Sequence, residues 1–227
     1  YVLLPASQDH KPVFDDDRGP NTGGMGAYCP APIVSDDLMR QIEEEVVKRL
    51  LKGLRREGIE YRGVIYAGLM INDDGIHVIE FNARFGDPET QCILPAIDAR
   101  LSDLLLGSAT GNLTQTGLVR HSRWAVSVVI ASGGYPGKYE KGKVIEGIDE
   151  AMKLEDVVLF HAGTRKQNGT YLTDGGRVLA ATGVGTSLRE ARRKAYGAAR
   201  LIRFEGAHMR TDIGVKGLAR LEKMGVR

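Results

Sequence analysis

Between Val78 and Glu89 the chain reads VIEFNARFGDPE, and its polar residues are spaced for phosphoryl chemistry. Side chains alternate between the two faces of an extended strand. Glu80 and Asn82 therefore share one face, while Ile79 and Phe81 take the other, where they are expected to enter a core. His77 alternates to the apolar side and reads as structural. A carboxylate and an amide oxygen two residues apart are hard oxygen donors of the kind Mg²⁺ takes, with substrate phosphates and water supplying the rest. If the strand direction persists, Arg84 emerges on the same face, where a guanidinium can fork onto a phosphoryl or carboxylate oxygen. Asp87 and Glu89 add two acceptors on a loop pinned by Gly86 and Pro88. The plainer alternative is a solvated strand face with surface ion pairs. The R-F-G-D-P-E run that follows favours the metal reading.

A second segment, GPNTGGMGAY (Gly19–Tyr28), puts four glycines, Asn21 and Thr22 into ten positions. Glycine loses much conformational freedom on folding, so such a run answers either to a turn or to an anion approaching bare main-chain N–H groups. The run is no Walker A loop, because no Lys-Ser/Thr follows. Nor is it a dinucleotide fingerprint, because Cys29 stands where the third glycine belongs. A further pair, TGVGTS (Thr182–Ser187), reads as a tight strand-to-helix connection. The basic run Arg189, Arg192, Arg193 and Lys194 reads as a solvated helix face.

These residues need elements to hold them. A helix is expected over 36–57, N-capped by Ser35 and closed by Gly58, with Leu38, Ile42, Val46, Leu50 and Leu54 recurring every four residues. RGVIYAGLMI and IHVIEFN, joined by NDDG, read as a β-hairpin. ARFGDPET reads as a loop, followed by a helix near 98–110. The polar, turn-rich stretch 111–121 marks a boundary. Beyond it, strands are expected at 124–131, 157–162 and 177–182, with Asn168–Gly169 as a hairpin turn. A helix starts at the Ser187/Glu190 capping box, its stripe formed by Leu188, Ala191, Ala195, Ala198 and Ile202. The fold class is α+β.

The whole composition agrees with a soluble globular protein. Of 227 residues 42% are hydrophobic and 26% charged, and the net charge is +2. That balance lacks the basic excess of a nucleic-acid binder. No apolar run has the length of a membrane helix. Two distant cysteines, Cys29 and Cys92, read as reduced thiols of a cytoplasmic protein. The apolar, strand-like opening YVLLPA suggests chain missing upstream.

QDHK (Gln8–Lys11), GPNTGGMGAY, YRGVIYAGLM, EFN and RFGDPE resemble the glycinamide ribonucleotide synthetases (phosphoribosylamine–glycine ligases) of the ATP-grasp superfamily. SGGYPGKYEKG, FHAGT and GGRVLAATG resemble that family's C-terminal domain. The resemblance implies the C-terminal half of an ATP-grasp domain, an antiparallel sheet with helices, over 1–112. It further implies a linker over 113–120 and a small α+β domain over 121–227, and the family's N-terminal domain and nucleotide-covering lobe would be expected upstream of Tyr1. It implies ligation of glycine to 5-phosphoribosylamine with ATP as co-substrate, in purine biosynthesis. Glu80 and Asn82 match metal ligands for Mg²⁺ or Mn²⁺. Related enzymes carry a third acid on the preceding strand, but here that place falls on Ala67–Gly68, so two protein ligands are expected. Arg84, Asp87 and Glu89 would act in catalysis. Asp9, Lys11, Asn21, Thr22, Gly23, Gly24, Met25 and Gly26 would bind substrate or phosphate, with free N–H groups of the glycine loop receiving the ribose phosphate or the ATP phosphates. His10 reads as structural. The implied partners are these small molecules and, by fusion or association, other purine-pathway enzymes; neither nucleic acid nor membrane is expected. The alternatives are a binding fragment without turnover, or another ATP-grasp ligase or carboxylase. RTDIG (Arg210–Gly214) resembles a family stretch but carries no assigned role.

Overall fold

The helix expected over 36–57 forms because its start and stop signals are both honoured. The Ser35 hydroxyl accepts the Leu38 N–H at 3.2 Å, Asp36 and Asp37 lie in the positive first turn, and Gly58 ends it at φ +68°. The computed structural model describes residues 1–114 and 117–225, so Gln115 and Thr116 of the expected linker lie outside the described residues. In chain order the strands are β1 (Val2–Leu3), β2 (Gln8–Asp9), β3 (Pro12–Phe14), β4 (Arg18–Asn21), β5 (Gly26–Cys29), β6 (Tyr66–Asn72), β7 (Gly75–Asn82), β8 (Gly117–Leu118), β9 (Trp124–Ala131), β10 (Val157–His161), β11 (Thr164–Gln167), β12 (Thr170–Thr173) and β13 (Arg177–Gly185). The helices are α1 (Asp36–Ile42), continuing through a π turn (Glu43–Val47) into α2 (Lys48–Arg56), then α3 (Thr90–Ala96), α4 (Leu101–Thr110), α5 (Ile148–Met152), α6 (Leu188–Ala199) and α7 (Val215–Lys223).

Two compact units are interleaved along the chain. One comprises Tyr1–Leu3, Pro32–Gly86 and Ala99–Val119; the other comprises Leu4–Ala31, Asp87–Asp98 and Arg120–Arg227. One junction, between Val119 and Arg120, falls within the stretch expected as a linker at 113–120; the others divide the chain before it.

In the first unit, β6 and β7 form the expected antiparallel hairpin, with a register shift that leaves Ile79 as an extra residue between Val78, opposite Leu69, and Glu80, opposite Gly68. This hairpin forms a two-stranded sheet, so Ile79 and Phe81 do not enter a core as expected: they are 64% and 43% exposed.

The second unit is built on a five-stranded antiparallel sheet in the order β10-β13-β9-β5-β2. Its central strand β9 (WAVSVVIA) is buried from Ala125 to Ala131 because both faces are covered. On one face Tyr28, Val126 and Val128 meet the α6 stripe, whose residues Leu188, Ala191, Ala195 and Ala198 are buried as expected. On the other, Ala27, Cys29 and Ala125 meet Cys92 and Ala96 of α3. Helix α3 is not expected from the sequence, and it carries Pro95, a residue that removes a helical hydrogen bond. The glycines of TGVGTS seat α6: a Cβ on Gly183 would strike the main chain at Ala191 and Ala195. Asn168 and Gly169 form the β11–β12 turn with φ +48° and +83°, the pair of positive values that a type I′ turn needs. The basic run of α6 is not simply solvated. Arg192 lies 4.7 Å from the Tyr196 ring and donates to the Ile213 and Thr211 carbonyls, and Lys194 pairs with Asp156 and Glu190.

RTDIG forms a clasp. Arg210 is fully buried; its Nε and Nη2 fork onto Asp212 at 2.7 and 2.6 Å, and its Nη1 donates to the Pro12 carbonyl at 3.0 Å and to Asp17 at 3.1 Å. Asp15 accepts the Thr211 N–H at 2.7 Å and the Thr211 hydroxyl, and Asp212 accepts the Asp16 N–H at 3.0 Å. These bonds hold Asp16 and Asp17 at φ +57° and +53°, a left-handed conformation that costs a non-glycine residue about 1–3 kcal/mol. Removing a buried cation strands its carboxylates. Arg210→Met is expected to lower unfolding stability by about 3–5 kcal/mol, measured by urea denaturation; a loss below about 1 kcal/mol, the scale of a surface pair, would contradict the clasp.

Candidate functional site

In the first unit the pairing beyond the Ile79 bulge is regular, with Tyr66 opposite Asn82, Ala67 opposite Phe81 and Gly68 opposite Glu80. Directly opposed residues share a face. Glu80 and Asn82 thus lie together as expected, with a glycine across from the carboxylate. A Cβ on Gly68 would come within 3.1 Å of Glu80 Cγ, so the strand position facing Glu80 carries no side chain of its own. The bulge also corrects the placement of His77: opposite Met70, it falls on the Glu80 face rather than with Phe81. A carboxylate and an amide oxygen on an accessible strand face fit a Mg²⁺-type ion with its other positions open to water and phosphate. Among the described residues no group of three or more His, Cys, Asp or Glu side chains is gathered for a metal. Arg84 lies beyond the end of β7, exposed, with Nη1 donating to the Phe85 carbonyl at 2.8 Å. The strand direction therefore does not carry it onward as expected.

The second unit holds the remaining candidates. β2 ends at Asp9, whose side chain is 9% exposed and pairs with Lys11 at 2.6 Å; its Oδ1 accepts the His10 N–H at 2.7 Å. Burial, then the nearby Glu89 carboxylate, push the Asp9 carboxyl up to about 6, against the pull of Lys11. Glu89 is itself buried. His10 is buried with Nδ1 3.2 Å from the Gly26 carbonyl, in keeping with a structural role; burial and the Arg210 charge push it down to about 4. Asp87 accepts from Gln91 at 3.0 Å and pairs with Arg177 at 3.2 Å. Asn21 ends β4, exposed.

The glycine loop departs from expectation. Its N–H groups are not free: Thr22 N–H donates to the Lys11 carbonyl at 2.8 Å, Gly23 N–H to the Tyr135 hydroxyl at 3.0 Å, Gly24 N–H to the Thr22 hydroxyl at 2.9 Å and Met25 N–H to the His10 carbonyl at 2.9 Å. The glycines instead admit protein neighbours. At Gly24, with φ +119°, a Cβ would meet Pro88 and, at 2.7 Å, Asp9 Oδ1; at Gly26, with φ +151°, it would meet the Ser127 carbonyl at 2.6 Å. The loop thereby lies directly against Asp9 and Pro88, next to Glu89. Sequence reasoning misses Arg177, whose Nη1 donates to the carbonyls of Gly23 at 3.0 Å, Gly24 at 3.4 Å and Asp87 at 2.8 Å. Its signal is a lone cation opening the otherwise uncharged strand RVLAATGVG.

Residues 1–90 match the family description "Phosphoribosylglycinamide synthetase, ATP-grasp (A) domain", and residues 125–216 match "Phosphoribosylglycinamide synthetase, C domain". The phosphoribosylamine–glycine ligase of Chlorobaculum tepidum is 47% identical over 218 residues, covering 96% of this chain and 51% of the relative. That of Synechocystis is 49% identical, covering 95% and 52%. The human trifunctional purine biosynthetic protein adenosine-3 is 45% identical over 97% of this chain and 22% of its own length. The crystal structure of the Thermotoga maritima phosphoribosylamine–glycine ligase superposes with a TM-score of 0.84 at 40% identity, over 93% of this chain and 52% of that one. A biotin carboxylase domain from Hydrogenobacter thermophilus, 13% identical with a TM-score of 0.58 over 82% of this chain and 40% of that one, shares the fold. The chain spans about half the length of the curated ligases it matches.

The raised Asp9 carboxyl has a stability consequence with a definite sign. Its pKa in the fold, about 6, lies above the ordinary 3.8, so the fold binds the proton more tightly than the unfolded chain does. This contribution is complete below about pH 4 and is lost as pH rises through about 6, a difference of up to about 3 kcal/mol. Asp9→Asn removes it. Relative to the native chain, Asp9→Asn is expected to be more stable at pH 7.5 than at pH 4.5, by about 1–3 kcal/mol. Urea denaturation at both values checks this, and a difference that is flat or reversed would contradict it.

Proposed function

Because the chain belongs to the phosphoribosylglycinamide synthetase family, we propose that it carries the metal-side and substrate-side residues of an ATP-dependent ligase joining glycine to 5-phosphoribosylamine. The products are glycinamide ribonucleotide, ADP and phosphate. The glycine carboxylate attacks the γ-phosphorus of ATP and ADP leaves, giving glycyl phosphate. The amine of phosphoribosylamine then attacks the acyl carbon, phosphate leaves with the C–O electron pair, and the amine's proton passes to an acceptor in the site. Such transfer needs positioning and positive charge more than covalent work from the protein.

The observation that carries this reading is the Glu80–Asn82 face opposite Gly68, joined to R-F-G-D-P-E in a chain matched by both family domains. Glu80 and Asn82 would hold Mg²⁺ or Mn²⁺, which when bound screens phosphate charge. Arg84 steadies charge on the transferring phosphoryl group or the acyl phosphate. In the second unit, Lys11 is the cation for an anionic substrate group, with Asn21 and Thr22 brought beside it by the pairing of β3 with β4. Since the Thr22–Met25 N–H groups are engaged within the protein, anion recognition in this segment falls to side chains. Asp87 and Glu89, with Asp9, supply acceptors suited to the attacking amine. Buried free thiols at Cys29 and Cys92 are in keeping with a reducing compartment such as the cytoplasm. No helix of the described residues is long and apolar enough to cross a membrane. The human relative, trifunctional by its name, supports association with other purine-pathway enzymes.

The test is glycine-dependent release of ADP and glycinamide ribonucleotide by the protein carrying this chain, with Mg²⁺, ATP and phosphoribosylamine. Glu80→Gln is expected to weaken Mg²⁺ binding and cut turnover with little change in thermal unfolding, since the face is water-accessible. A Mg²⁺ titration overlaying that of the native protein would remove Glu80 from the site. Arg84→Lys keeps the charge and loses the fork, with an expected fall in kcat of about 10²-fold. An unchanged kcat would make Arg84 a surface residue.

A further inference from the structure

We propose that Arg177 is the positioning residue for both substrate-side loops, acting through their main chain. The inference rests on the ligase reading for its catalytic consequence and on geometry for everything else. Arg177 opens β13 opposite Ala131, and a register shift follows at once: Leu179, two residues on, faces Ile130, leaving Val178 as the extra residue. Bulges of this kind turn the local side chains away from the regular alternation. The Arg177 side chain reaches the glycine loop and the turn before α3, two segments far apart in sequence.

Its contacts are of a particular kind. Nη1 donates to the Gly23, Gly24 and Asp87 carbonyls, and Nη2 pairs with the Asp87 carboxylate at 3.2 Å. Three carbonyls and a carboxylate around one planar group need the rigid multi-donor fork of arginine, which lysine lacks. A Cβ on Gly23 would fall 2.9 Å from Arg177 Cζ, so glycine at 23 is what lets the guanidinium lie against the main chain. On its N–H side Gly23 donates to the Tyr135 hydroxyl at 3.0 Å. Gly23 is thus gripped from both sides by residues of the C-terminal half of the chain, at its N–H by Tyr135 and at its carbonyl by Arg177, while Gly24 is held there at its carbonyl. Arg177 differs from Arg210 in what it holds. Arg210 is fully buried and ties up a strained turn; the Arg177 side chain is 22% exposed and the Asp87 side chain 48%. Losing Arg177 therefore loosens loops without stranding a buried charge. Misplacement of substrate-positioning groups by about 1 Å can cost about 10²-fold in rate.

The experiment compares native, Arg177→Met and Arg177→Lys proteins by amide hydrogen exchange, thermal unfolding and ligation kinetics. Arg177→Met is expected to speed exchange at Gly23 and Gly24 by at least about 10-fold, while the β9 and β13 amides and the unfolding temperature stay unchanged. In the ligase, kcat falls by about 10–10²-fold with KM for ATP unchanged. Arg177→Lys behaves like Arg177→Met. The proposal is overturned if exchange at 23 and 24 is unaltered, if exchange rises uniformly across the sheet, if Arg177→Lys restores native behaviour, or if kcat is unchanged in a protein whose native form is active. If the native form has no ligase activity, the ligase reading fails by itself, and exchange at 23 and 24 still decides whether Arg177 holds the loops.

Discussion

A guanidinium taken out of water must be fully paired, and much of the second unit is arranged around meeting that demand at Arg210. Its partners come from residues 12–17 at one end of the chain and from Asp212 at the other. To reach it, Asp16 and Asp17 adopt a left-handed backbone that neither would take unaided. The tight turn so formed folds β3 back on β4, bringing Lys11 and Thr22 side by side, where the Lys11 carbonyl accepts both the Thr22 N–H and the Thr22 hydroxyl at 2.8 Å. The glycine loop begins at that closure. Its course is set by a buried charge near the opposite end of the sequence before any substrate is considered.

Local signals are legible in the sequence where they act locally. Ser35, Gly58, Ser187 and the Asn168–Gly169 pair fix helix ends and a turn through bonds within a few residues, and each performs as its chemistry requires. The run of β9, apolar but for Ser127, likewise announces a strand buried on both faces. Illegible are the features that depend on distant partners. The bulge at Ile79 puts His77 and Phe81 on opposite faces, yet nothing in IHVIEFN marks one residue as extra. Helix α3 carries Pro95 and still forms, because Cys92 and Ala96 pack on Ala27, Cys29 and Ala125 of the sheet.

The glycine loop shows the same limit in the candidate site. Four glycines in ten residues mark a place where the main chain must come close to something, and composition cannot say to what. An anion and a neighbouring protein segment impose the same demand for a missing Cβ. The structure answers with Asp9, Pro88, Ser127 and Arg177 as the neighbours, and with protein acceptors for the N–H groups of residues 22–25. Two of the bulges lie beside candidate site residues, at Glu80 and Arg177. A regular strand offers its side chains at fixed alternation, and a bulge re-aims those beside it.

Asp9 and His10, adjacent in sequence, show how the unit sorts strain from function. Both are pushed toward their neutral forms, Asp9 upward and His10 downward, and burial is the first cause in each case. For His10 the neutral form is also the prevailing one near pH 7, so its burial asks little. For Asp9 burial opposes the charge that Lys11 beside it favours, and Glu89 adds a second buried acid nearby. A sequence shaped for stability alone would relieve this conflict with a neutral side chain at 9. A carboxyl held near neutrality can take up or release a proton as a charged group arrives or leaves, which an unperturbed surface aspartate cannot do at that pH. The clasp at Arg210 pairs its charges completely and tolerates no such ambiguity. The contrast is between a buried charge whose partners satisfy it and a buried carboxyl whose surroundings oppose its charge.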